Sequence, residues 1–290
     1  MAGDEFVPGN LLFSDRYALK TTGGLTTSII AGSATSSGYV EGVGSDAQFT
    51  SIVSFVQLSA THVIVADESN HCLRSINRTT NQTETYAGSC GHSGDQDGVA
   101  ALFNTPVSII IGVIQHHQLF FSQFCSSANL KSISTDNKKV STILHSTLCF
   151  LYLAQQPSSG NIFATFTHGL GIYDYQNNSF NVISGSSRRF VDGDLSQARF
   201  SSPRGLELLS LDILIIADWG NQRLRLIDLD NNTSSSICSG VGGHNNGDLS
   251  SCQLNTPWCM LDIGDNLYVG ERGYIRIIHG KFSGFLSLAQ

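Results

Sequence analysis

Catalysis or metal binding in this chain would have to start from its nine histidines and 23 carboxylates. His71, His92, His145, His168 and His244 all fall in polar stretches that read as loops. Zinc needs three or four ligands converging at about 2 Å, and the sequence has neither an HxxxH nor a CxxC spacing. Calcium would draw on Asp95-Gln96-Asp97-Gly98 or Asp192-Gly193-Asp194. Neither stretch has the alternating ligand series closed by Glu that a calcium loop needs, so turn residues are expected there. Acyl transfer fares no better, because there is no Gly-x-Ser-x-Gly elbow and spacing marks out no Ser–His–Asp set. Asp67 and Asp218, with Asn70 and Asn221, are the short polar residues that cap turns by side-chain-to-backbone hydrogen bonds, and that role is expected of them. Arg74 and Arg225 are expected to pair with neighbouring loops. No cofactor is expected. Zinc, if bound, would begin at His92 and His244.

The elements that position these residues are repeated. A short apolar strand ending in a small and then a polar residue occurs six times: Leu12–Asp15, Val63–Asp67, Leu119–Gln123, Ile162–Thr165, Ile215–Asp218 and Leu267–Glu271. The last residues are separated by 52, 56, 42, 53 and 53 positions, a period that marks an array or ring. A second strand follows each copy: Ala18–Thr21, Cys72–Ile76, Leu130–Ile133, Gly171–Tyr173, Leu224–Ile227 and Ile275–Ile278. A third ends in small residues, as in Ala87-Gly88-Ser89. A Gly- and Asp-rich loop then leads to Phe103, Phe200 or Leu254, each followed by Asn or Ser and a Pro, with Gly42–Phe49 as a looser copy. An apolar strand such as Val107–Ile111 or Gly205–Leu209 opens the next unit.

Four short strands repeated six times predict an all-β, six-bladed β-propeller of four-stranded antiparallel blades, because each sheet must stack on neighbours to bury both faces. Blades are expected at about 8–33, 49–89, 107–145, 149–186, 205–240 and 258–290, in one domain over 1–290. The first blade lacks an evident innermost strand, which Glu5–Val7 or Phe285–Ala289 could supply. Ala217-Asp218-Trp219-Gly220-Asn221-Gln222-Arg223-Leu224-Arg225 and Ala66-Asp67-Glu68-Ser69-Asn70-His71-Cys72-Leu73-Arg74 resemble the NHL repeat, whose pattern runs Phe-x-x-Pro-x-Gly, a strand ending Ala-Asp, then Asn-x-Arg-Ile. The resemblance covers essentially the whole chain and is degenerate over about 149–186. It implies the propeller fold. It also implies two enzymatic possibilities, a zinc-dependent peptide-amidating lyase or a lactonase-like hydrolase with chemistry in a central channel. Fold does not fix function.

Strand direction alternates, so loops joining strands two to three and loops joining blades share one face, here called the top. Trp219, Phe190, Arg188, Arg189, Arg204, Glu271 and Arg272 map to it, and Trp and Arg are residue types that dominate interface energy. With a net charge of −7 and 16 scattered basic residues, a nucleic-acid partner is not expected, nor the RNA binding of basic-topped propellers in tripartite-motif proteins. The longest apolar runs, such as Val107–Ile114, are too short to cross a bilayer.

Cys72 and Cys90 map to adjacent strand ends roughly 5 Å apart, a spacing that a disulfide bridges. Cys125 and Cys149 stand in similar places in the next blade. Cys238, Cys252 and Cys259 gather around the last inter-blade loop, so one of the three stays free or pairs elsewhere. Glycosylation triplets at Asn77, Asn81, Asn177, Asn231 and Asn232 fall in predicted hairpin turns. Residues 1–5 carry neither a basic nor an apolar leader, which leaves a cytosolic protein or a segment of a larger secreted one. Cysteines and triplets together favour the second. The expectation is an extracellular recognition module for a protein or glycan, part of a secreted or cell-surface receptor or adhesion protein. A metal-dependent propeller enzyme is the alternative.

Overall fold

The structure is a computed structural model that describes residues 1–4, 9–23, 26–114, 117–124, 129–246, 249, 251–263 and 266–279. It divides into two compact units, Met1–Phe150 and Leu151–Gln290. In the first, β1 (Ala2–Gly3), β2 (Leu11–Ser14), β3 (Ala18–Gly23) and β4 (Thr26–Gly32) form one sheet in chain order. The second sheet joins β5 (Gly42–Val43), β6 (Ile52–Ser59), β7 (His62–Asp67), β8 (Cys72–Asn77) and β9 (Gln82–Gly88) in the order β5-β9-β8-β7-β6. The third is β10 (Pro106–Ile111), β11 (Gln118–Gln123), β12 (Asn129–Ser134) and β13 (Val140–His145).

The second unit repeats the plan. Its sheets are β14 (Phe150–Gln155), β15 (Ile162–Phe166), β16 (Gly169–Asp174) and β17 (Ser179–Ser184); then β18 (Gly193–Asp194), β19 (Pro203–Leu208), β20 (Ile213–Asp218), β21 (Arg223–Asp228) and β22 (Thr233–Ile237) in the order β18-β22-β21-β20-β19; then β23 (Cys259–Ile263), β24 (Asn266–Glu271) and β25 (Tyr274–His279). Among the described residues these strands pair antiparallel, and the isolated bridge Ser93 to Phe103 is parallel. The fold class is a six-bladed β-propeller, as the repeat predicts.

Burial explains the strand sequences. In β7 the residues after His62 are all buried, because neighbouring sheets cover both faces of an inner strand. The outer β9, Gln-Thr-Glu-Thr-Tyr-Ala-Gly, buries only Thr83 and Ala87 and exposes Glu84 and Thr85. Large apolar loop residues plug the space between sheets. Phe49, Phe103, Phe200 and Leu254 are all at most 1% exposed, each in a different core cluster. Each such plug contributes about 1.5–3 kcal/mol of burial. Gly88 makes room for one of them: its φ is +87°, and a Cβ there would lie 2.7 Å from the Phe103 ring.

Three details differ from the sequence expectation. The first sheet takes Ala2–Gly3 as its extra strand, paired with Leu11 and Leu12, while Glu5–Val7 and Phe285–Ala289 lie outside the described residues. Two sheets have five strands, because the Gly-rich loop entering a sheet lies along its outermost strand. Gly42 thus pairs with Thr83, and Gly193 with Ser234. A single bridge, Gly98 to Val140, does the same in the third sheet. The last sheet has three strands among the described residues.

Candidate functional site

The residues that look catalytic in the sequence are held in a structural lattice repeated from sheet to sheet. Asp218, at the end of β20, is fully buried. It accepts hydrogen bonds from Ser201 N at 2.8 Å, Asn221 Nδ2 at 2.8 Å and Arg225 Nη1 at 3.0 Å. Burial pushes its carboxyl above the ordinary value despite those donors. Asp67 does the same in its sheet, accepting from Thr50 N, Ser51 N and Asn70 Nδ2. The expectation that these aspartates cap their own turns is therefore corrected. The one-turn 3-10 segments Glu68–Asn70 and Trp219–Asn221 have no side-chain cap, and the carboxylates reach across to the loop that enters the sheet.

Arg225, also fully buried, donates to the carbonyls of Val191 and Arg199 and to Asp192, and stacks over Phe200 at 4.7 Å. Arg74 likewise donates to the carbonyls of Val40 and Gln48. Both arginines thus pair with neighbouring loops, as their repeat position predicts. Lys131 occupies the equivalent place in the third sheet, 2.7 Å from Asp95 and 2.8 Å from Asp97. The acidic stretches therefore supply counter-ions, a role that the turn reading missed. Their signal was the recurring acidic–Gly pair (Glu41-Gly42, Asp97-Gly98, Asp192-Gly193) ahead of Arg74, Lys131 and Arg225 at near-constant spacing.

Glu271 belongs to this lattice. It is buried, accepts from Asn255 N and contacts His244 at 3.2 Å and Arg276 at 3.6 Å. His92, in the first unit, lies 3.3 Å from both Ser89 Oγ and the Cys90 carbonyl. Among the described residues no three His, Cys, Asp or Glu side chains are grouped to hold a metal ion. Cys72 is bonded to Cys90 and Cys238 to Cys252, Cys149 is also disulfide-bonded, and Cys259 is the free member of its trio. Cys125 lies outside the described residues. Asn77, Asn81, Asn177, Asn231 and Asn232 all sit at turns joining the two outer strands of their sheets; Asn177, Asn231 and Asn232 are exposed.

Within the second unit, residues of four segments meet at one end of the strands. The Arg204 guanidinium lies 4.5 Å from the centre of the Trp258 ring and 5.7 Å from that of Trp219. The Gly205 N–H donates to the Trp258 carbonyl and sets the two segments side by side. Gly220 N donates to the Ser201 carbonyl, and Arg188 Nε donates to Ser201 Oγ at 3.1 Å. Asn221 Nδ2 then donates to the Arg189 carbonyl, and Arg223 stacks over Phe190 at 3.7 Å. The result is a continuous strip, Trp258–Arg204–Trp219–Arg188–Phe190–Arg223. Phe190 is 43% exposed and Trp258 38%, which is high for aromatics of this size. Burial and the adjacent Arg225 charge lower the Arg223 guanidinium from its usual value.

Five of the nominated rim residues thus come together: Trp219, Phe190, Arg188, Arg189 and Arg204. Glu271 is withdrawn into the lattice. Arg272 is exposed in the turn between β24 and β25 and makes no hydrogen bond or ion pair among the described residues. Trp258 and Arg223 were missed in the sequence. The signal for Trp258 was its repeat position, since Pro203-Arg204 and Pro257-Trp258 are matching steps of adjacent units.

A carboxylate elsewhere on β19 behaves differently. Glu207 is partly accessible yet crowded enough that burial pushes it up to about 7, with the Asp262 charge adding to the rise. A carboxyl raised in the folded state stabilises below its unfolded value of 4.5, and that contribution is lost as pH climbs through about 7. Glu207→Gln is expected to stabilise the protein by on the order of 2 kcal/mol at about pH 8 and by little at about pH 4. Urea melts at the two pH values measure this; equal effects at both would contradict it.

No family model matches the sequence, and no curated protein matches it either. Solved structures do. An auxiliary nutrient binding protein from Bacteroides ovatus superposes with a TM-score of 0.70 at 11% identity, over 93% of this chain and 65% of that one, so the chain spans about two thirds of its length. A second auxiliary nutrient binding protein, from Bacteroides thetaiotaomicron, gives 0.56 at 15% identity over 84% and 72%. A structure described as a nidogen/laminin complex gives 0.65 at 12% identity over 94% and 90%. At such identities the likeness is one of fold, and what this chain is similar to is a set of six-bladed β-propellers.

Proposed function

We propose that this protein is an extracellular recognition module, built of NHL-type repeats within a longer secreted or cell-surface protein, that holds a protein or glycan partner on the loop-bearing ends of its blades. The observation that carries this reading is the aromatic–arginine strip. Among the described residues, Arg188, Arg189, Arg204 and Arg223 make no ion pair, Arg223 feeling Asp192 and Asp218 only at longer range, whereas the repeat's buried Arg225 pairs with both of those carboxylates. Cations and large aromatics left together at a surface are the composition of an interface centre.

Two further features support it. The disulfides suit an oxidising compartment. The glycosylation triplets at Asn231 and Asn232 lie in the β21–β22 turn, whereas Trp219 lies in the β20–β21 turn at the opposite end of the same strands, so glycans there would leave the strip clear. The similar folds include proteins described as nutrient binding and one in complex with laminin, both of which hold partners.

Protein made in a secretory host is expected to carry the Cys72–Cys90 and Cys238–Cys252 bonds and glycan on at least one of Asn177, Asn231 and Asn232. Mass spectrometry finding every thiol free and no glycan would remove the extracellular assignment. The same material, labelled, is expected to bind saturably to at least one member of a panel of matrix proteins and glycans. Arg223→Ala with Trp258→Ala is expected to weaken that binding tenfold or more, about 1.4 kcal/mol. Binding to none of the panel counts against the recognition role.

A further inference from the structure

We propose that the strip is a docking site for an acidic segment of a partner protein, with Arg204 as the residue that grips a carboxylate. This rests on the recognition role above and specifies the chemistry of the partner. Three observations lead to it. Arg204 lies 4.5 and 5.7 Å from two indole centroids, a cation–π setting in which a guanidinium can still use its outer N–H groups for a ligand. Its Nε is buried without a hydrogen-bond partner, so on this half-buried side chain it is the outer Nη groups that a ligand would meet. Arg188, Arg189 and Arg223 stand beside it and make no ion pair, and the nearby Asp192 and Asp218 are paired with Arg225, so guanidinium groups outnumber carboxylates locally on a chain of net charge −7.

The alternation of guanidinium and aromatic side chains favours a peptide over a sulfated polysaccharide. An extended peptide can present carboxylates to the arginines and apolar side chains to Phe190 and Trp258, both well exposed. A long polyanion would also meet the negative charge on the rest of the chain.

The site carries its own reporter, because the chain has only two tryptophans and they flank Arg204. Tryptophan emission is followed while the protein is titrated at low salt with a short peptide alternating Glu and Leu, its Gln/Leu counterpart, and a short heparin oligosaccharide. The Glu/Leu peptide is expected to give a saturable change that weakens with added salt, and the Gln/Leu peptide none. Arg204→Gln is expected to weaken the Glu/Leu peptide about tenfold, as the loss of a charge-assisted hydrogen bond should. Arg189→Gln, at an exposed side chain, tests the charge of the strip with the fold untouched, and a threefold or larger weakening is expected. An equal response to both peptides, a response to heparin alone, or no response overturns the assignment. If binding to a matrix protein or glycan survives that result, the recognition role stands and only the acidic-segment assignment falls. If that binding is absent too, both fall.

Discussion

Arg225→Met is expected to cost about 3–5 kcal/mol of stability at neutral pH, the largest effect of any single change considered. The arginine is fully buried and satisfies Asp218, Asp192 and the carbonyls of Val191 and Arg199 at once. Methionine fills much of the same volume, so packing against Phe200 is largely kept. What is lost is the charge that makes the buried Asp218 tolerable. That carboxyl is already raised by burial with the arginine present, and it would rise further without it. A carboxyl raised in the folded state is least harmful when protonated, so the deficit of the variant should shrink as pH falls below neutrality. Adding Asp218→Asn should recover part of the loss, because the unpaired charge goes while the single amide oxygen still accepts from Ser201 N. Denaturant melts of the two variants decide it. A single variant within about 1 kcal/mol of the parent would show that the lattice contributes little.

The second large effect is expected from removing the Cys72–Cys90 bridge by alanine at both positions. The bond joins residues 18 apart, with Cα atoms separated by 5.1 Å. A loop of that size contributes about 3 kcal/mol by restricting the unfolded chain. It pins the segment after β9 to the start of β8, beside Gly88, where the entering Phe103 packs. Both cysteines are buried, so their loss also leaves a small void. Both tryptophans lie in the second unit, so tryptophan emission does not follow the first unit, and far-UV circular dichroism is the better readout. Cys259→Ser, which breaks no bond, is the control and is expected to change stability by less than about 1 kcal/mol.

The sequence and the structure agree most closely where the signal is local. Val63–Asp67 reads as an inner strand from its unbroken apolar run, and it is β7. Phe103 and Phe200 read as fixed points of the loops, and they are the plugs between sheets. These follow from alternation, turn chemistry and repetition, each of which a few consecutive residues express. Asp97 and Asp192 show where this ends. Both were legible as turn residues, yet their carboxylates serve Lys131 and Arg225, 34 and 33 positions away. Glu271 was legible as a charged loop residue, but its side chain is buried with Asn255, His244 and Arg276.

By itself, then, the amino-acid order determined six short-stranded sheets, the recurring Phe or Leu of the entering loops, the pairing of Cys72 with Cys90 and the recurrence of arginines at matching repeat positions. Only the tertiary structure decided which arginines are neutralised and which are left facing water. Arg225 and Arg223 are two residues apart in one strand, and one is buried in ion pairs with two carboxylates while the other stacks on Phe190 and pairs with neither. The reason is that strand geometry is a property of neighbouring residues, whereas the partner of a charge is fixed by which distant loop the fold brings within about 3 Å of it.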